Sequence, residues 1–178
     1  MLAEPVRRIL DSLETPYALV GAYAMAARGY PRSTVDIDFL SADERVLTAT
    51  TWVDLEGEGA SVDVRPGDAD DPLGGVVHIL LADGTDVDVV LAKWKWEAEL
   101  IVRAEWLRFN DTLIRVPRIG DLILMKLAAG GYLDLRDAAA LLAVADRDAS
   151  IREVEAHLDN VRPDARGAWR ELLTQSEQ

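Results

Sequence analysis

Two aspartates one residue apart, Asp36 and Asp38, sit in the β-prone run Val35-Asp-Ile-Asp-Phe-Leu40. On a strand, successive side chains alternate faces, so Val35, Ile37 and Phe39 point one way and the two carboxylates the other. Two rises of the strand separate their Cβ atoms by about 6–7 Å. Such a pair repels unless water or a cation intervenes, and hard oxygen donors at that spacing suit Mg²⁺ or Mn²⁺. The context narrows the reading further. Tyr17 to Val20 is a short apolar strand, Gly21-Ala22 a turn, and Tyr23 to Ala27 helix-prone until Gly29 and Pro31. A bare D-x-D is common on protein surfaces. One on a strand that begins just after a glycine-turn helix is a stronger candidate for a metal site.

A second strand repeats the register. In Thr85-Asp-Val-Asp-Val-Val-Leu91, Asp86 and Asp88 share a face while Val87 and Val89 take the other. Side by side, the two strands would gather three or four carboxylates, whose mutual repulsion a divalent ion removes. Asp88, flanked by valines, is the stronger ligand candidate and Asp86 the reserve; an edge strand with a solvated acidic side is the plainer reading. At Gly21 and Ala22, free N–H groups at a helix start can bind phosphate oxygens, and glycine lets the backbone approach closely. A phosphate-sized turn followed by a metal-sized carboxylate pair points to chemistry on a nucleoside triphosphate.

Other residues carry two readings each. Lys126 projects from the apolar stripe of its helix, either to snorkel or to meet triphosphate oxygens as a point charge. Asp134 and Asp137 follow the Gly130-Gly131 break, and capping of the next helix accounts for Asp134. Arg32 and Thr34 either orient the acidic strand or touch phosphate. His78 and His157 have no partners at ligand spacing and read as structural. Trp94, Trp96 and Trp106 read as core or helix-packing residues. The chain has no cysteine nucleophile, and the sequence alone supports no Ser-His-Asp grouping.

With 178 residues, 49% of them apolar, the chain can build one domain or a core plus a helical annex. It has no apolar run of the roughly 18–20 residues a bilayer span needs, and no basic-then-apolar signal at its start. With no thiols, these features give the expectation of a cytoplasmic protein. The net charge of −13 opposes an extended nucleic-acid groove. The acid is uneven. Asp54 to Asp71 holds seven acids and one base, whereas Arg103 to Arg118 has four arginines against Glu105 and Asp111. The basic run is the candidate for touching an anionic acceptor; a solvated face is the alternative.

Patterning predicts a helix over Pro5–Leu13, strands over Ser61–Arg65, Val76–Leu81 and Thr85–Leu91, and a hairpin turn at Ala82-Asp83-Gly84. Asp43–Trp52 reads as a helix capped by Ser41, Trp94–Glu105 as a helix, and Phe109–Val116 as a small hairpin turning at Asn110-Asp111. After Pro117 only helices are expected: Ile119–Ala129, Asp134–Ala145, Ile151–Leu158 and Asp164–Leu173. The expected division is residues 1–117 as a core and 118–178 as a helical region packed on it.

Val20-Gly21-Ala22-Tyr23-Ala24-Met25, then Gly29, Arg32, Thr34 and Asp36-Ile37-Asp38-Phe39-Leu40, resembles the nucleotidyltransferase superfamily in its minimal, DNA polymerase beta-like form. Asp121 to Gly130 with Asp134-Leu135 and Asp137 is similar to its abortive-infection and toxin branch. The matching segments span Tyr17 to Leu142. The resemblance implies an α/β (α+β) fold with a short mixed sheet flanked by helices, a helical C-terminal annex, and two-metal transfer of a nucleotide. Asp36 and Asp38 match the metal pair, Asp88 the third carboxylate, and Lys126 the triphosphate-binding lysine. Gly21, Ala22, Arg32 and Thr34 fall at nucleotide-binding positions. Ala22 departs from the usual glycine or serine but keeps the backbone N–H. The implied reaction moves a nucleoside monophosphate from an NTP to a hydroxyl of an RNA end, a protein or a small molecule, with Mg²⁺ or Mn²⁺, no membrane, and an antitoxin as a possible partner. The rival readings are a binding module of the same fold that has lost turnover, and a metal-dependent phosphohydrolase.

Overall fold

The computed structural model describes residues 2–32, 34 and 36–175; Val35, expected to open the carboxylate strand, lies outside them. The chain divides into two compact units, residues 1–27 with 31–117, and residues 28–30 with 118–178.

In the first unit, helix α1 (Glu4–Ser12) places Val6, Ile9 and Leu10 at helical spacing, all buried. Strands β1 (Tyr17–Val20), β2 (Asp36–Ser41), β3 (Ser61–Pro66), β4 (Gly75–Leu80) and β5 (Asp86–Leu91) form one mixed sheet in the order β1-β2-β5-β4-β3. Only β2 and β5 run parallel; the other neighbours are antiparallel. Period-2 alternation then decides the faces. Ile37, Phe39, Val77, Ile79, Val87 and Val89 are each at most 5% exposed, and each such buried side chain contributes about 1.5–3 kcal/mol. Helix α2 (Gly21–Ala27) packs on β1 and β2.

The segment after β2 differs from expectation. Ser41 ends the strand instead of capping a helix, and two 3-10 turns, Glu44–Leu47 and Ala49–Trp52, precede the short helix α3 (Val53–Gly57). The reason is local. Asp43 Oδ1 accepts from the Arg45 amide at 2.9 Å and caps the first turn, and Thr48 in extended conformation separates the two. The Asp43 carboxylate also takes the Arg45 guanidinium and the Thr15 hydroxyl, the latter at 2.7 Å. Those bonds, the guanidinium's first, hold its carboxyl well below the usual range.

Helix α4 (Lys95–Arg103) begins where Glu97 Oε2 accepts the Lys93 and Trp94 amides at 2.7 and 2.9 Å. It stops before Glu105 because Glu105–Phe109 is a strand, β6, paired with β7 (Thr112–Val116). Their two-residue turn puts Asn110 and Asp111 at φ 45° and 59°, the left-handed pair that matches strand twist.

Among the described residues of the second unit there are helices and no strand: α5 (Ile119–Ala129), α6 (Tyr132–Val144), α7 (Arg147–His157) and α8 (Pro163–Gln175). Helix α5 packs against the other three. Gly120 admits α7 closely, since a Cβ there would lie 2.4 Å from Glu153 Cβ, and its amide donates to Glu153 Oε2 at 3.1 Å. Helix α7 starts earlier than its periodicity suggested because Asp146 caps it through the Ala149 amide at 3.0 Å. No helix among the described residues is long and apolar enough to cross a membrane.

Candidate functional site

The sheet order sets the acids of β2 and β5 beside one another. Asp36 pairs in register with Asp86, and Asp38 with Asp88, across neighbouring strands about 4.8 Å apart. Asp36 and Asp86 are exposed at the strand mouths, while Asp38 and Asp88 are half-buried one pleat further in. Opposed like charges destabilise a strand pair. Hydrophobic burial on the other face keeps this register regardless, because slipping by one residue would turn Ile37, Phe39, Val87 and Val89 outward.

Gly21 closes over this row. It has φ +62°, and a Cβ on it would lie 1.9 Å from Asp38 Oδ2 and 2.7 Å from Asp38 Cγ. Both the backbone conformation and the space therefore require glycine. Ala22 is 5% exposed, so its methyl occupies a packing position. Thr34 attaches to the strand backbone: the Asp36 amide donates to its Oγ1 at 3.3 Å. Arg32 is exposed. A cavity of about 550 Å³ in the same unit is lined by Tyr23, Thr34, Ile37, Thr85 and Asn110 among others.

His78 was expected to be structural and partnerless; instead its Nδ1 lies 2.6 Å from Asp88 Oδ1. The two are in register on β4 and β5, with side chains 38% and 28% exposed. A sequence signal for this contact exists. The hairpin turns about Asp83, and residues equally far from a hairpin's centre face each other, which pairs 78 with 88. Asp38, Asp88 and His78 thus form a row across three adjacent strands.

Lys126 belongs to the second unit. There its ammonium meets Asp134 Oδ1 at 2.7 Å and Asp137 Oδ2 at 3.2 Å, with Lys126 and Asp137 side chains 17% and 8% exposed. Asp134 is not the cap of α6, which is Gly131; it stands in the helix's first turn and pairs with Lys126. Two of the tryptophans also depart from expectation. Trp96 is buried, but Trp94 and Trp106 are 51% and 60% exposed, under the Lys93 and Arg115 cations at 5.7 and 5.5 Å. Their neighbouring sequence is charged, and a cation over the ring face compensates for exposure.

Among the described residues no three His, Cys, Asp or Glu side chains stand in a ready metal-holding group. The donor set nevertheless fits Mg²⁺, which keeps several waters and takes one or two carboxylates together with substrate phosphates. The in-register carboxylates on β2 and β5 supply that number of hard oxygens, with the Gly21 backbone close against Asp38.

No protein-family model matches this sequence, and no curated protein sequence does. Solved structures do match. The antibiotic-resistance factor ANT(2'')-Ia aligns over 99% of this chain and 93% of its own, with a TM-score of 0.57 and 18% identity. A nucleotidyltransferase-like protein from Paracoccidioides brasiliensis aligns over 93% and 88%, with a TM-score of 0.51 and 18% identity. The lincosamide antibiotic adenylyltransferase LnuA, with lincomycin bound, aligns over 80% and 98%, with a TM-score of 0.50 and 12% identity. Mixed sheet, helix complement and these alignments agree: the chain has the nucleotidyltransferase fold.

Proposed function

We propose that this protein transfers a nucleoside monophosphate from a nucleoside triphosphate to an acceptor hydroxyl, with release of pyrophosphate. The observation that carries the reading is the double carboxylate row on β2 and β5 with Gly21 seated against Asp38. An ordinary sheet face has no reason to oppose two like-charged pairs in register and to clear backbone space over one of them.

Asp36, Asp38 and Asp88 would hold Mg²⁺ or Mn²⁺, with Asp86 in reserve. Bound there, the ion supplies positive charge against the attacking and leaving oxygens. The chain's own residues do the rest. Asp88 accepts the proton of the attacking hydroxyl. The Gly21 and Ala22 amides face the triphosphate, and Thr34 fixes the entry of β2. Lys126 is assigned to the triphosphate by the sequence resemblance alone.

The net charge of −13 favours a small-molecule acceptor over long nucleic acid. Structural neighbours captured with adenylyl-2''-tobramycin or lincomycin support the same direction. A toxin role in a two-protein system rests on the resemblance to the toxin branch.

Incubation with each α-³²P-labelled nucleoside triphosphate, Mg²⁺ or Mn²⁺, aminoglycoside and lincosamide panels and a cell extract tests the proposal. Label should move to an acceptor and vanish with Asp38→Asn. A folded Asp38→Asn protein with full transfer would overturn the assignment. Orthophosphate release without labelled acceptor would favour a phosphohydrolase, and triphosphate binding without turnover a binding module.

A further inference from the structure

We infer that His78 is the positioning residue for Asp88, holding one oxygen of that carboxylate so that the other alone serves a cation or an attacking hydroxyl; this rests on reading the carboxylate row as the reaction site. The geometry supports the assignment from three directions. His78 and Asp88 are register partners on antiparallel strands, so the contact is set by the sheet backbone and not by a flexible loop. The separation of 2.6 Å between Nδ1 and Oδ1 is within hydrogen-bond reach. Asp88 in turn adjoins Asp38 on β2, whose side chain is confined by Gly21. A carboxylate between a second carboxylate and open solvent would otherwise sample several rotamers. With His78 donating through Nδ1–H, Oδ1 is committed and Oδ2 is left for chemistry.

A carboxylate oxygen accepts hydrogen bonds, so the imidazole tautomer that makes this contact is the one with its proton on Nδ1. Partners that orient a metal-binding or catalytic group typically matter 10–100-fold when removed. A purely structural cross-strand pair would stabilise the hairpin without changing what Asp88 binds.

The test uses the full chain with Mn²⁺ and the α,β-methylene analogues of the four nucleoside triphosphates as probes. Calorimetry would compare wild type, His78→Leu, His78→Asn and Asp38→Asn, with circular dichroism to verify folding. The proposal expects His78→Leu to weaken metal–nucleotide binding about 10–100-fold, and His78→Asn, which retains a short N–H donor, to restore most of it. Unchanged binding in His78→Leu alongside loss in Asp38→Asn would overturn the positioning role and leave the site standing. Absence of binding in the wild type would overturn both. A measurement on the unaltered protein covers the case in which His78→Leu fails to fold. Long-range ¹H–¹⁵N spectra should show His78 protonated at Nδ1, with a downfield proton that disappears in Asp88→Asn. An unprotonated Nδ1 would overturn the proposal.

Discussion

Gly21→Ala probes the tightest contact that a Cβ would make at any glycine among the described residues. Gly21 has φ +62°, and the added methyl would start 1.9 Å from Asp38 Oδ2, 2.7 Å from Cγ and 3.1 Å from Cβ. Two separable penalties follow. A non-glycine residue in the left-handed region costs about 1–2 kcal/mol. Displacing Asp38 into another rotamer, or shifting β1 from β2, adds the overpacking cost of about 1–3 kcal/mol. The sum, about 2–5 kcal/mol, corresponds to about 4–20 °C in Tm for a chain of this size. Urea unfolding followed by circular dichroism measures it, with the denaturant slope checked for constancy. A double-mutant cycle separates the two penalties. In an Asp38→Ala background the atoms struck first are gone, so Gly21→Ala should retain only the backbone cost. The coupling energy should then be about 1–3 kcal/mol. A single-mutant loss below about 1 kcal/mol, or strict additivity, would refute the claim that Gly21 is shaped around the Asp38 carboxylate.

Asp43→Asn should lower stability at pH 7 by about 1–3 kcal/mol, as expected for bonds to a charged group. Because Arg45 depresses the Asp43 carboxyl, its contribution is complete above the unfolded-state value of about 4 and declines as pH falls toward the folded value. Acid titrations of stability for wild type and variant should therefore draw together progressively as pH falls below about 4; parallel curves would contradict this. Lys126→Met removes the ammonium shared by the Asp134 and Asp137 carboxylates and should cost about 1.5–3 kcal/mol, read by thermal unfolding; a neutral result would show the pair to be unimportant. Asp111→Gly at φ 59° relieves a left-handed aspartate in a two-residue turn and should gain up to about 1 kcal/mol, measured by urea midpoint.

Much of the first unit was legible locally. Alternation in Asp36-Ile-Asp-Phe and Asp86-Val-Asp-Val sorts acids from core on each strand. Gly21 and Gly130 mark breaks that their positive φ values require, and Asn110-Asp111 announces a tight hairpin. Short-range misreadings came from competing side chains. Asp43 captured the turn that Ser41 was expected to cap, and Asp146 began α7 a turn early. Trp94 and Trp106 lie at the surface under neighbouring cations, where a core or helix-packing role was expected.

What the chain determined by itself is periodicity and turn chemistry, since both depend on neighbours within a few residues. The tertiary structure alone decided which strands adjoin beyond the local hairpins. The parallel pairing of β2 with β5 joins segments some fifty residues apart in the chain, and no local pattern specifies it; burial of Phe39 and Val89 on the far face does. That same pairing placed four carboxylates on one sheet face, whereas the histidine beside Asp88 comes from the local β4–β5 hairpin. Packing among α5 and α6 likewise converted Lys126 and Asp134, separable in sequence as a snorkelling lysine and a helix cap, into one ion pair, because a partly buried charge is stable only beside its counter-charge.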